Sequence, residues 1–429
     1  TRSVSDFVLG SHSVGSWLTA FAYGTSYFSA VVFIGYAGQF GWTYGVSAAW
    51  VGVGNALLGS LLAWIVLGRR TRIMTQSLGA KTMPEYFEKR WNSKGLKIAA
   101  ALIVFVFLIP YTASVYNGLS RLFNMAFQIE SEGAYKIIII VMALLTAIYV
   151  ILGGYAATAI NDFIQGIVML IGIAAVVICA IQNQGGLTSA LAALGEIEVN
   201  GKTNTLNSVF GPDPLNLLGV VILTSLGTWG LPQMIHKFYA IKSENDIKKG
   251  AVISTVFALI VAGGSYLLGG FDRLFCTLTE DGSGKTVIST LSNGKPDFDA
   301  MIPSLLHTAL PDILIGLVVV LVLSASMSTL SSLVLTSSST LTIDLIKPNL
   351  KKCSDKKEML IMRVLIAVFL VISVLLAFNK NASISTLMSY SWGALAGAFL
   401  GPFMYGLFSK KITKPAVWTS FILGIGLTL

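Results

Sequence analysis

TSLGTWGLP, Thr224–Pro232, interrupts an otherwise apolar run at 215–233. Its nine residues hold two glycines, a proline and three hydroxyl side chains. A regular helix tolerates this poorly, because proline removes a backbone donor and glycine costs conformational entropy. In hydrocarbon every freed backbone group needs a partner inside the protein, so such a break faces protein or a cavity. A second patch of the same kind, Tyr23-Gly24-Thr25-Ser26-Tyr27-Phe28-Ser29, interrupts the first apolar run.

Working outward from the two breaks, eleven apolar runs read as membrane spans. They cover 14–41, 45–67, 96–127, 136–152, 158–181, 215–233, 250–270, 313–343, 359–378, 384–408 and 416–429. Five spans return the chain to the opposite side, so spans six to ten repeat spans one to five upside down. The expectation is one all-α membrane domain over 1–429, with inverted repeats at roughly 14–181 and 215–408 and an extra span at 416–429. Interrupted spans in matching positions of two inverted halves point to the solute site of a secondary transporter. Glycine and serine also serve close helix packing, but the matched pair favours transport. The chain starts at Thr1 and its last apolar run stops at Leu429, which reads as part of a longer protein.

Composition agrees. Of 429 residues 54% are hydrophobic and 11% charged, against about 25% charged in soluble domains. The net charge of +9 could suggest an anionic partner such as nucleic acid. With the N-terminus inside, however, 22 of the 29 Lys and Arg fall on the inner side. That is the bias that orients membrane proteins. A multi-pass cell-membrane protein with a cytoplasmic N-terminus follows, with the bilayer and no nucleic acid as partner; no obligate protein partner is evident. Segments 183–214 and 272–303 read as outer loops, and TMPEYFEKRW at 82–91 as a short amphipathic interfacial helix.

The eighth span carries SASMSTLSSLVLTSSST, Ser324–Thr340, eleven of whose seventeen residues are Ser or Thr. At about 100° per residue, Ala325, Ser328, Thr329, Ser332 and Thr336 share one face. Hard cations such as sodium take several oxygen ligands. Ser328, Thr329 and Ser332 offer hydroxyls, and a break near Thr25 to Phe28 releases carbonyls. The competing explanation is packing or bonding back to the preceding turn, preferred for Thr336 to Thr340.

Asp162 is a carboxylate about one turn inside the fifth span. A charge at mid-membrane costs about 2.5–3.5 kcal/mol and calls for a partner. Its span offers no Lys or Arg, so a bound cation or a proton is the natural candidate. The alternative is a helix N-terminus that favours a carboxylate. Enzyme chemistry finds little support: His12, His236 and His307 lie at span ends or in loops without metal-ligand spacing, and there is no P-loop. Three cysteines, Cys179, Cys276 and Cys353, are too few and too scattered for a disulfide framework.

DFVLGSHSVGSWLTAFAYG (6–24), TMPEYFEKRW (82–91), GGYAATAINDFIQG (153–166), SASMSTLSS (324–332) and SYSWGALAGAFLGP (389–402) together resemble the sodium:solute symporter family, most closely its sodium/proline branch. The resemblance implies a five-plus-five inverted-repeat fold, with a further span before the first motif and others after the eleventh. It implies a sodium site at the carbonyls of Thr25, Phe28 and Ala325 and the hydroxyls of Ser328 and Thr329. It also implies a candidate second sodium or proton site at Asp162, Ser331 and Ser332, with Ser328 shared. Proline transporters similar to this chain carry Asp where it has Tyr27, and Trp and Tyr where it has Thr224 and Thr228. A small polar or zwitterionic solute is therefore expected, proline or a related amino acid favoured. Tyr23, Ser26, Tyr27, Ser29, Tyr111, Tyr116, Asn117, Thr224, Thr228, Trp229 and Tyr390 would line its site. Sodium is the expected co-substrate, with no other cofactor. Proton coupling through Asp162 and a transporter-like nutrient sensor are the rival readings.

Overall fold

The computed structural model describes residues 4–9, 14–129, 131–280, 282–291, 294–350, 354–378 and 383–429. His12, Cys353 and the charges Arg2, Lys351, Lys352 and Lys380 lie outside them. Span ordinals are kept from the sequence.

The described residues are mostly helical, as an apolar chain must be where lipid offers no hydrogen bonds. Seven helical segments among the described residues are long and apolar enough to cross a membrane, and one bent pair makes an eighth. This is a multi-pass membrane protein, with at least seven crossings against the eleven counted from the sequence. Isoleucines and leucines along the fourth span, such as Ile148 and Leu152, are exposed, as a lipid-facing surface requires.

Both interruptions exist. The first span is helical at Ser16–Thr25, loses its regular ladder, and resumes at Val31–Tyr36 and Ala37–Tyr44. Gly45 then takes φ 63° and ψ −144°, turning the chain into the second span. A side chain would be strained in that conformation. The sixth span runs Pro214–Leu226, tightens to a 3₁₀ turn at Gly227–Gly230, and restarts at Pro232–Ala240 after a 54° bend. Leu231 is extended, which the following proline enforces. Between the fourth and fifth spans Gly154, at φ 62°, makes a kink.

Two sequence expectations change. The sixth span does not end at 233: its second half continues to Ala240, with Lys237 only 2% exposed. Lys237 therefore does not belong with the loop charges of the inner side. The short helix Met83–Trp91 is capped by Thr82, whose hydroxyl accepts from the Glu85 amide. Its apolar face is not left for lipid, because Tyr86 and Phe87 are fully buried, against Phe403 and against Phe399 and Phe421 respectively.

The first and seventh spans touch backbone to backbone. A Cβ at Gly41 would collide with the main chain of Gly269, so only glycine permits this approach. The seventh span, Glu244–Gly269, also packs Phe257 against Phe21.

Candidate functional site

The site forms where the first-span break meets the eighth span, Asp312–Thr340, and the sixth-span break. At the end of helix Ser16–Thr25 the amides of Ser26, Tyr27 and Phe28 bond three residues back, to Tyr23, Gly24 and Thr25 carbonyls at 3.0–3.2 Å. This tight winding turns the Phe28 carbonyl out of the helical ladder. The eighth span meets it: Thr329 Oγ1 donates to Phe28 O at 3.5 Å, and Ser328 Oγ donates to Thr25 Oγ1 at 3.0 Å. The Ala30 amide donates to Ser326 Oγ at 3.3 Å. Thr25, Phe28, Ala325, Ser328 and Thr329 are all buried. The five residues expected to share a sodium ion thus lie at one junction, in a chain-remote pairing of oxygen-rich surfaces.

The further residues of the eighth-span stripe divide. Ser338 and Ser339 bond back to Val334 and Thr336 carbonyls at 2.7 and 3.2 Å. Ser331 likewise donates to Ser328 O at 2.9 Å. Ser332 instead accepts from Lys237 Nζ at 2.8 Å, and the same ammonium lies 3.9 Å from Asp162 Oδ2. The expectation that Asp162 lacks a basic neighbour holds within its own span but fails in space: the partner arrives from the sixth span.

Of the residues expected at the solute, seven belong to the two breaks: Tyr23, Ser26, Tyr27 and Ser29 in the first, Thr224, Thr228 and Trp229 in the second. Tyr27 OH and Thr228 Oγ1 share a 2.7 Å hydrogen bond that joins them directly. Tyr23 OH donates to Gly59 O at 3.1 Å, and Trp229 Nε1 to Leu58 O at 3.1 Å, so both are held by the second span. Ser26 Oγ bonds back to Ala22 O, and Ser29 Oγ receives the Val31 amide; both finish the break. Thr224 and Tyr390 line a cavity of about 490 Å³ with Tyr36, Gln39, Ser385 and Ser389, roofed by Pro296 and Phe298 of the 272–303 loop. That volume suits a small solute. Tyr111 packs edge-on against Trp392 of the tenth span. Tyr116 is buried, and Asn117 accepts from Tyr135 OH at 2.7 Å, tying the third span to the fourth.

The opposite side is closed. Between Thr82, His236, Tyr239, Thr336 and Thr340 only about 10 Å³ remains. Thr82 Oγ1 donates to Asp344 Oδ2 at 2.7 Å, and Lys97 Nζ lies 2.8 Å from Glu88 and 3.8 Å from Asp344. On the loop side Arg121 pairs with Asp297 at 2.8 Å, and Asp299 accepts from the Ile384 amide at 2.9 Å. Burial pushes the Asp299 carboxyl up, and the Arg121 guanidinium opposes it.

Sequence reasoning missed Lys237, Tyr36, Gln39, Ser326 and Ser389. Lys237 had a signal: Pro232 is a favoured first residue of a helix, so the run QMIHKFYA should have been read as a restart.

A model of the sodium:solute symporter family matches residues 7–424. A sodium/proline symporter of Staphylococcus aureus is 30% identical over 433 residues, spanning 99% of this chain and 80% of that protein. Among solved structures, a Na⁺-coupled sialic acid symporter in a substrate-bound outward-open state superposes with a TM-score of 0.75 at 17% identity, over 99% of this chain and 85% of that one. A nucleobase-cation-symport-1 family transporter in a closed conformation superposes at 0.55 and 15% identity, over 97% of this chain and 84% of that one. The two likenesses establish a shared fold.

Proposed function

The chain belongs to the sodium:solute symporter family, and from that premise we propose that it imports a small polar or zwitterionic solute by alternating access. It is a sodium-coupled transporter of a small molecule, not an enzyme. Proline or a related amino acid is the favoured solute, in keeping with the sodium/proline symporters it is similar to. The reading includes the five-plus-five inverted repeat, with the two breaks as counterparts and the Lys- and Arg-rich face in the cytoplasm.

One observation carries the proposal: the hydroxyls of Ser328 and Thr329 reach Thr25 and the Phe28 carbonyl of the first-span break. With the Ala325 carbonyl these would hold sodium at the junction, joining the eighth span to the break. The solute would occupy the 490 Å³ cavity that Thr224 and Tyr390 line, with the Tyr27–Thr228 bridge below Thr224 in the same break. Half-helix ends at both breaks would meet its charges, without need of an Arg. The 490 Å³ cavity on the loop side and the closed Thr82–Asp344 side fit a form whose solute space lies toward the outer face. Moving one charge through 100 mV is worth about 2.3 kcal/mol, or roughly fifty-fold accumulation.

Uptake of labelled proline and related small amino acids into proteoliposomes, under imposed sodium or proton gradients, tests this. Sodium-driven accumulation is expected. Uptake that ignores sodium and follows a proton gradient would replace it with proton coupling.

A further inference from the structure

We propose that the Lys237 ammonium is a built-in cation at the Asp162 site, standing where a second sodium would sit, so that one sodium ion accompanies each solute. The proposal rests on the sodium-coupled reading above.

Three helices converge here: the fifth span at Asp162, the eighth at Ser332, and the second half of the sixth at Lys237. The ammonium already stands among the groups that could ligate an ion, while both Asp162 carboxylate oxygens are buried without a hydrogen-bond partner, so charge and not hydrogen bonding decides what the site can take. Ser331 donates to the Ser328 carbonyl, 2.9 Å away. Ser332 accepts from Lys237 Nζ at 2.8 Å. Asp162 faces the same ammonium at 3.9 Å, a charge pairing without a hydrogen bond. The ring of Tyr155 lies 5.6 Å from Nζ, a distance at which its face attracts the cation. Asp162 and Lys237 are 0% and 2% exposed, so water screens neither.

The charge count then decides. With the carboxylate and ammonium opposed, the pocket is neutral. A sodium ion entering beside them would leave an uncompensated positive charge in a dry core, against a like charge a few ångströms off. Removing the ammonium reverses the position: Asp162 becomes a buried carboxylate without a counter-charge, across from the Ser332 hydroxyl that now accepts from Lys237, oxygen ligands of the kind sodium takes.

The lysine is covalently fixed, so it cannot be carried across. It contributes charge balance but no driving force. A second sodium would square the roughly fifty-fold gain per 100 mV; this chain forgoes that.

The test counts ions on the purified full chain in lipid nanodiscs, using radioactive sodium, and measures charge moved per solute in proteoliposomes. The wild type should bind one sodium and move one charge per solute. Lys237→Gln should bind two, with a steeper sodium titration. Lys237→Gln with Asp162→Asn should return to one. A wild type that binds two sodium ions, or a Lys237→Gln variant that still binds one, overturns the proposal. The wild-type charge ratio decides it even if the variants fail to fold. A wild type that binds none overturns the sodium-coupled reading as well, which separates the two failures.

Discussion

Thr329→Val is the substitution that asks most of the proposed sodium site. Valine keeps the shape and the β-branch and deletes only the hydroxyl. In the structure that hydroxyl makes a long 3.5 Å bond to Phe28 O, so little is lost in the ion-free protein. A hydrogen-bond-like contact to a charged group is worth about 1.5–3 kcal/mol. Losing it should raise the half-saturating sodium concentration roughly 10- to 150-fold. Ser328→Ala differs, because Ser328 gives up a 3.0 Å bond to Thr25 before it can serve an ion. Offsetting about 1 kcal/mol for that bond leaves a smaller rise, from about two-fold to roughly thirty-fold. The assay is initial-rate uptake against sodium concentration at saturating solute. Both variants should recover wild-type maximal rates at high sodium, with Thr329→Val shifted further. A lowered maximal rate at unchanged sodium dependence would make both residues packing elements and refute the assignment.

Tyr27→Phe removes the 2.7 Å bridge to Thr228, worth about 0.5–1.5 kcal/mol. Solute KM should change several-fold while sodium dependence stays put; concentration series of solute and ion separate the two. Thr82→Val breaks the contact with Asp344 on the closed side. A reporter cysteine at Ser339, introduced with it, should then react faster with a thiol reagent applied from the Lys- and Arg-rich face. Gly41→Ala places a methyl against the Gly269 main chain. Overpacking of this kind costs about 1–3 kcal/mol, read as a lower melting temperature in detergent and reduced folded yield.

The breaks were legible because glycine, proline and clustered hydroxyls have no other cheap place inside an apolar run. The eighth-span stripe was legible because helical periodicity alone puts Ser328 and Thr329 on one face. What escaped the sequence were matters of depth and of partners in space. Lys237 looked like the first charge of a loop, since nothing local says that a helix restarting at Pro232 runs on into the protein. Asn117 looked like a polar lining residue, yet its acceptor is taken by Tyr135, eighteen positions away along the chain. Tyr36 and Gln39 are ordinary span residues until the tenth span and the outer loop close a cavity over them. The amphipathic pattern at 82–91 was right as a helix and wrong as to its apolar face, which finds aromatic partners on the tenth and eleventh spans instead of headgroups.

The glycine contact between Gly41 and Gly269 has a mechanical consequence. Two main chains that touch with nothing between them cannot slide past one another, since a shift of one residue drives a side chain into backbone. The first and seventh spans are in effect welded, and any rocking must be taken up at softer seams. The seam between the first-span break and the eighth span is such a place, held by a few hydroxyl contacts. On the proposed reading sodium is a rivet across that slip plane: it need not bend a helix to act, because a small displacement of either side takes away its ligands.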